Sequence, residues 1–163
     1  RIDLLVRAMA HVNAERPAHL LVVGRGSEQP ELEQLRDSLG LQERVHLLGF
    51  VPEEDLPGLY RASDLFAIAS ICEVQSIPAL QAAVTGLPMA AVDAAALPEL
   101  VQHGLNGYLV PPENPQALGQ AILEILRDPQ RYQAFSQASL QIGRPHAETA
   151  TFEAYDRFYR SLR

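Results

Sequence analysis

Short apolar runs alternate with helix-start signals along this chain, and few folds accommodate that alternation. Ile2, Leu5, Val6, Met9 and Val12 recur at helical spacing and stop before Pro17. Residues 19–23 predict a strand running into Gly24, Arg25 and Gly26, after which Leu32, Leu35 and Leu39 mark a helix closed by Gly40. Residues 45–48 predict the next strand, ending at Gly49, Phe50 and Val51. A short helix follows, with Pro57 in its first turn and Leu59 and Tyr60 facing inward. Residues 65–69 are a continuous apolar run of the kind a strand buried on both faces gives. Residues 88–92 predict a fourth strand and residues 97–101 a short helix. Asn106 and Gly107 predict a tight turn into a fifth strand over 108–110. Asn114-Pro115 and Asp128-Pro129 are paired N-cap and N1 signals for two further helices. A final helix carries Phe152, Tyr155, Phe158, Tyr159 and Leu162, a stripe read as core or interdomain packing rather than a ligand site. Strands separated by helices imply an α/β, three-layer, doubly wound parallel sheet, here with five strands, seven or eight helices and additional helices at the C-terminal end.

In such a sheet ligands bind at the carboxyl ends of the strands, and the richest candidate is the stretch 70–86. Ser76 suits the N-cap of a helix, Pro78 its first turn, and Leu80, Ala83 and Val84 follow at helical spacing. The free N–H groups of that helix end favour an anion. Glu73 stands at the end of a strand read as buried, where a carboxylate is costly to desolvate, so it is read as ligand-facing. Val74, Gln75 and Ser76 contribute through backbone N–H groups. Gln81, eight residues after Glu73, either hydrogen-bonds ligand hydroxyls or is an exposed helix residue. Gly24 and Gly26 either cradle phosphate or only form a tight turn, since no third glycine follows at the dinucleotide spacing. The Gly49, Phe50 and Val51 loop offers an apolar ledge for a flat ring, or covers the core. Cys72 is read as a small packed side chain rather than a nucleophile.

Composition excludes several classes of function. The 163 residues, with 47% hydrophobic and 20% charged, are enough for one globular domain with its own core. A formal charge of −7 argues against a general nucleic-acid surface, which needs clustered Lys and Arg. A single cysteine excludes an internal disulfide, and the five histidines lack metal-ligand spacing, so no metal or cofactor is expected. With no apolar run near the ~20 residues of a membrane span, a cytoplasmic setting is expected.

The run of motifs resembles the C-terminal, nucleotide-sugar-binding domain of GT-B-fold glycosyltransferases of the retaining family 4 type. The motifs are Ile2-Asp-Leu-Leu5, Leu20-Leu-Val-Val-Gly-Arg-Gly26, Leu39-Gly-Leu-Gln-Glu-Arg-Val-His-Leu-Leu-Gly49 and Ala62-Ser-Asp64, then Glu73 through Gly86-Leu-Pro88, and Pro98-Glu-Leu-Val-Gln-His-Gly-Leu-Asn-Gly107. They span essentially the whole chain. The resemblance implies that Glu73, the first position of a Glu-x7-Glu pattern, contacts the transferred sugar as the catalytic-site carboxylate. It implies that Gln81, at the second position, holds the ribose hydroxyls. Val74, Gln75, Ser76 and Ile77 then contact sugar and diphosphate, and Gly49, Phe50 and Val51 receive the base. The substrate implied is a nucleoside-diphosphate sugar, without a metal, and the acceptor lies on an N-terminal partner domain.

Three departures accompany the resemblance. Glu73-Val-Gln-Ser76 stands where the family commonly has Glu-Gly-Phe-Gly, and Gln81 replaces a Glu. The Gln75-Ser76 variant is similar to that of members acting on lipid acceptors, which brings a peripheral membrane surface or lipid acceptor into consideration. The family's diphosphate-binding Arg and Lys fall just before Ile2. The order 3-2-1-4-5-6 expected for this fold places a first strand ahead of the opening helix, at the centre of the sheet. That strand and the acceptor domain are expected to lie outside these residues, so that the five strands here would not form one continuous sheet. The chain alone is expected to bind donor weakly and transfer nothing. Two other readings stay open, a catalytically degenerate binding module and a sugar-nucleotide epimerase domain.

Overall fold

The computed structural model describes residues 1–146 and 148–162. In chain order these form α1 (Ile2–Glu15), β1 (Leu20–Val23), α2 (Gln29–Ser38), β2 (Val45–Gly49), α3 (Leu56–Ala62), β3 (Phe66–Ile68) and α4 (Ile77–Thr85). Then come β4 (Met89–Val92), α5 (Leu97–Leu100), β5 (Gly107–Val110), α6 (Pro115–Arg127), α7 (Pro129–Gly143) and α8 (Glu148–Ser161), with a single 3₁₀ turn at Arg144–His146. The N-caps are local chemistry. Asn114 accepts a hydrogen bond from the Ala117 N–H at 2.9 Å, and one Asp128 oxygen accepts from the N–H groups of Gln130 and Arg131.

All strand pairs among the described residues are parallel. Leu20 lies opposite Val45 in a two-stranded sheet of β1 and β2. Phe66 lies opposite Met89, and Met89 opposite Gly107, in a three-stranded sheet ordered β3, β4, β5. β1 and β3 are not paired with each other, so the five strands do not form one continuous sheet. Helices cover both sides. α1 packs on α2, α6 and β3, whereas α4 packs on α3, α7 and β3. Between α6 and α4, every residue of β4 is buried.

Small residues set these distances. A Cβ on Gly107 would lie 1.9 Å from the Met89 carbonyl oxygen, and one on Gly119 would lie 3.0 Å from the Ala8 carbonyl oxygen, where α6 crosses α1. On the other side, Gly143 of α7 lies over Val84 and Ala83 of α4.

Four expectations change. The core face of α4 is Ala79, Ala82 and Ala83, while Val84 stays exposed at the edge of that face, against Gly143 of α7. β3 is half-buried along its length rather than enclosed on both faces. Asn106 is no turn tip: it is fully buried, and its side chain accepts from the Gln102 N–H at 2.8 Å and donates to the Leu100 carbonyl at 2.9 Å. The chain reverses instead through residues 102–106, with Gly104 at φ +77°. Finally, Phe152, Tyr155, Phe158 and Tyr159 of α8 and Leu162 just after it are all exposed, so of the two expected roles the stripe does not take the core one in this domain. Among the described residues no helix is long and apolar enough to cross a membrane.

Candidate functional site

At the carboxyl end of the first sheet, two turns meet. The Gly24 N–H donates to the Gly49 carbonyl at 2.8 Å, and the two glycines adopt φ of +125° and +67°. Those angles bend the chain sharply after β1 and at the end of β2, where a side chain would be strained. The bend brings the Arg25 guanidinium to 5.7 Å from the centre of the Phe50 ring, a cation–π contact. Phe50 remains 66% exposed and Val51 is half-buried, so this loop presents a flat apolar face rather than sealing the core. Gly24 thus meets the tight-turn requirement. Gly26 has an ordinary φ and ends the turn, its carbonyl accepting from the Gln29 N–H at the start of α2.

At the carboxyl end of β3 the chain passes through residues 69–76 into α4. Ser76 is the N-cap: it is 2% exposed, its backbone is extended, and its hydroxyl accepts from the Ala79 N–H at 3.4 Å. Pro78 occupies the first turn, where its missing N–H costs nothing. Pro78 has no N–H, the Ala79 N–H goes to the Ser76 hydroxyl and the Leu80 N–H to the Ser76 carbonyl, which leaves the Ile77 N–H of the first turn, beside the exposed Val74 and Gln75. Glu73 is half-buried rather than desolvated, because it lies several residues beyond the end of β3. Its carbonyl accepts from the Ala96 N–H at 3.1 Å, which ties the loop to the one after β4. There Ala95 takes a left-handed φ of +50°, a strained conformation of a kind that clusters at functional sites. Cys72, expected to pack, is exposed instead, since the loop carries it away from the sheet.

Gln81 sits on the second turn of α4, half-buried. Its Oε1 lies 3.1 Å from the Tyr60 hydroxyl of α3, and that hydroxyl also lies 3.2 Å from the Pro78 carbonyl. Burial pushes the Tyr60 phenol up from its ordinary value, so it stays a protonated donor through the neutral range.

The expected residues therefore fall into two groups. Gly24, Gly26, Gly49, Phe50 and Val51 are joined by the turn contact. Glu73, Val74, Gln75, Ser76, Ile77 and Gln81 surround the head of α4. A cleft of about 530 Å³ between α1 and α2 is lined by neither group but by Arg1, Asp3, Arg7, Glu28, Leu32 and Leu35 among others. At its rim the Arg1 guanidinium holds the Asp3 carboxyl below the usual carboxylate range, and Arg1 also pairs with Glu113. Among the described residues no three His, Cys, Asp or Glu side chains are grouped as metal ligands.

Sequence reasoning passed over three participants. Arg25 lay inside the Gly-x-Gly turn, but its stacking on Phe50 depends on a contact between two loops. Tyr60 was read only as an inward-facing residue, and its partner stands 21 positions away. Ala95 carries no sequence signal for a left-handed backbone.

Comparison with known proteins gives this geometry a context. Residues 1–128 match the family model described as glycosyl transferases group 1. An uncharacterized glycosyltransferase of Methanocaldococcus jannaschii is 34% identical over 127 residues, covering 78% of this chain and 33% of that protein. A D-inositol 3-phosphate glycosyltransferase of Thermobispora bispora is 33% identical over 149 residues, covering 85% of this chain and 35% of the relative. Among solved structures, Anabaena HepE in complex with UDP superposes with a TM-score of 0.85 at 30% identity, over 98% of this chain and 44% of that one. The pneumococcal O-GlcNAc transferase in complex with UDP and GlcNAc gives a TM-score of 0.87 at 22% identity, over 99% of this chain and 33% of that one, a likeness of fold. The chain spans about a third of the length of the curated relatives it matches.

Proposed function

We infer the role of this chain from the family to which it belongs, the group 1 glycosyl transferases, whose GT-B fold it shares over its C-terminal half. The reading is that this domain binds the nucleoside-diphosphate sugar of a retaining glycosyltransferase, and that the acceptor is held by a further domain of the intact protein. The observation that carries it is the capped head of α4 at the end of β3, with Glu73 beside it, in a chain 30% identical to a protein seen in complex with UDP. A diphosphate placed there would meet the Ile77 N–H and the positive end of the helix dipole, which stabilise the leaving group as the sugar departs. Glu73, half in water, would accept hydrogen bonds from the sugar hydroxyls. The Phe50 ring offers a face on which the base stacks, and Gln81 is assigned to the ribose.

The unpaired edges of β1 and β3 support a further part of the reading. A strand preceding α1 in the intact protein would pair with both and join the two sheets. No metal is needed in this scheme. A lipid acceptor at a membrane surface fits the Gln75-Ser76 variant.

Calorimetric titration of the intact protein with UDP, GDP and ADP tests the reading. Saturable binding of one of them is expected, with Glu73→Ala weakening the nucleotide sugar more than the nucleotide itself. Failure of all three to bind would overturn it. Gln81 in place of a carboxylate favours a second reading, a catalytically degenerate module. On that reading, Gln81→Glu creates no donor affinity.

A further inference from the structure

Two arrangements of hydrogens fit the atoms around Tyr60. A phenol has a single proton, yet two carbonyl-type oxygens stand within reach of the Tyr60 hydroxyl, Gln81 Oε1 at 3.1 Å and the Pro78 carbonyl at 3.2 Å. With Gln81 Oε1 as acceptor the proton makes one bond, and the Pro78 carbonyl keeps its helical partner within α4. A half-turn of the Gln81 amide about its Cγ–Cδ bond exchanges two groups of nearly equal size and makes both contacts hydrogen bonds. Nε2–H then donates to the Tyr60 oxygen, the Tyr60 O–H donates to the Pro78 carbonyl, and Gln81 Oε1 turns away from Tyr60.

We propose that Tyr60 is a positioning residue that fixes the Gln81 amide with its oxygen toward the ligand, so that a neutral Gln presents an acceptor to the ribose diol. This rests on the donor-binding reading above. A Gln not held in this way would expose its amide donors and its oxygen in turn and lose the directed acceptor. Tyr60 is suited to the task because it sits on α3, a separate element packed on α4, and because its half-buried phenol does not ionise near neutral pH.

The test is calorimetry on the intact protein with UDP and GDP, each beside its 2′,3′-dideoxy analogue. The wild type is expected to bind a ribonucleotide more tightly than the analogue. Tyr60→Phe should weaken the ribonucleotide by about 3- to 10-fold, one neutral hydrogen bond's worth, and leave the analogue unchanged. Gln81→Leu should abolish the distinction between the two, and Tyr60→Phe added to it should change the ratio no further. A Tyr60→Phe loss equal for both nucleotides marks a merely structural residue and overturns the proposal, as does no loss at all. If UDP, GDP and ADP all fail to bind the wild type, the donor-binding reading itself fails. Melting curves of the variants show whether each is folded when titrated.

Discussion

Removing the Asn106 side chain should cost this domain more than any loop substitution near it. The residue is fully buried between α5 and β5, and it closes the connection between them with two hydrogen bonds, one accepted from the Gln102 N–H and one donated to the Leu100 carbonyl. In Asn106→Ala the Leu100 carbonyl is left buried and unpaired, at about 1–3 kcal/mol. Gln102 is exposed, so its N–H can turn to water and adds little. With the small cavity, the loss should be about 2–4 kcal/mol. Asn106→Asp separates the two bonds. The carboxylate still accepts from Gln102 but sets a negative oxygen against the Leu100 carbonyl in a fully buried site. Its pKa must therefore rise above the ~3.9 of the unfolded chain. Between those two values the folded state holds the extra proton, so stability falls as pH rises, by about 1.4 kcal/mol per unit. Urea unfolding followed by circular dichroism at pH 5 and pH 7 measures this, with unchanged m-values marking a change in stability alone. Asn106→Asp should be distinctly less stable at pH 7 than at pH 5 relative to the wild type. An Asn106→Ala loss under about 1 kcal/mol, or an Asn106→Asp loss independent of pH, would refute the assigned bonding.

Ser76→Ala removes the cap of α4 and should lower stability by about 1 kcal/mol, with a melting temperature about 2–4 °C lower in a thermal scan. Burial raises the phenols of Tyr60 and Tyr132, the latter also facing the Asp64 charge, above the value of 10.0 they have when free. Their contribution is fully present below pH 10 and is lost as pH rises through the folded values. Alkaline unfolding should begin near that point, and Tyr60→Phe should flatten the decline. Cys72, exposed one residue before Glu73, should react readily with a maleimide, and a bound nucleoside diphosphate should slow the labelling several-fold. Labelling unaffected by nucleotide would place the ligand away from this loop.

What was legible in the sequence was mostly local. Helix caps at Ser76, Asn114 and Asp128 follow from a side chain reaching its own backbone within three residues, and all three stand where the residues predicted them. The helix–strand alternation likewise gave five parallel strands, because each apolar run is short and bounded. What failed was decided by contacts distant in sequence. Asn-Gly signals a turn, but burial under α5 made Asn106 a plug between backbone groups. The spacing of Val84 fits a core face, but α4 turns Ala79, Ala82 and Ala83 inward and leaves Val84 exposed against Gly143 of α7. The aromatic stripe of α8 has core periodicity, and periodicity does not say what lies opposite. In the site, Glu73, Ser76 and Phe50 could be placed from strand ends and caps. The Arg25–Phe50 stack and the Tyr60–Gln81 pair could not, since each joins two separate elements.

The most direct test of the central claim is a crystal structure of the intact protein grown with UDP or GDP. The account predicts the diphosphate at the N-terminal end of α4, the ribose within hydrogen-bond reach of Gln81, and the base on the Phe50 face. A nucleotide bound anywhere else, or a diphosphate held without the α4 N-terminus, would contradict it.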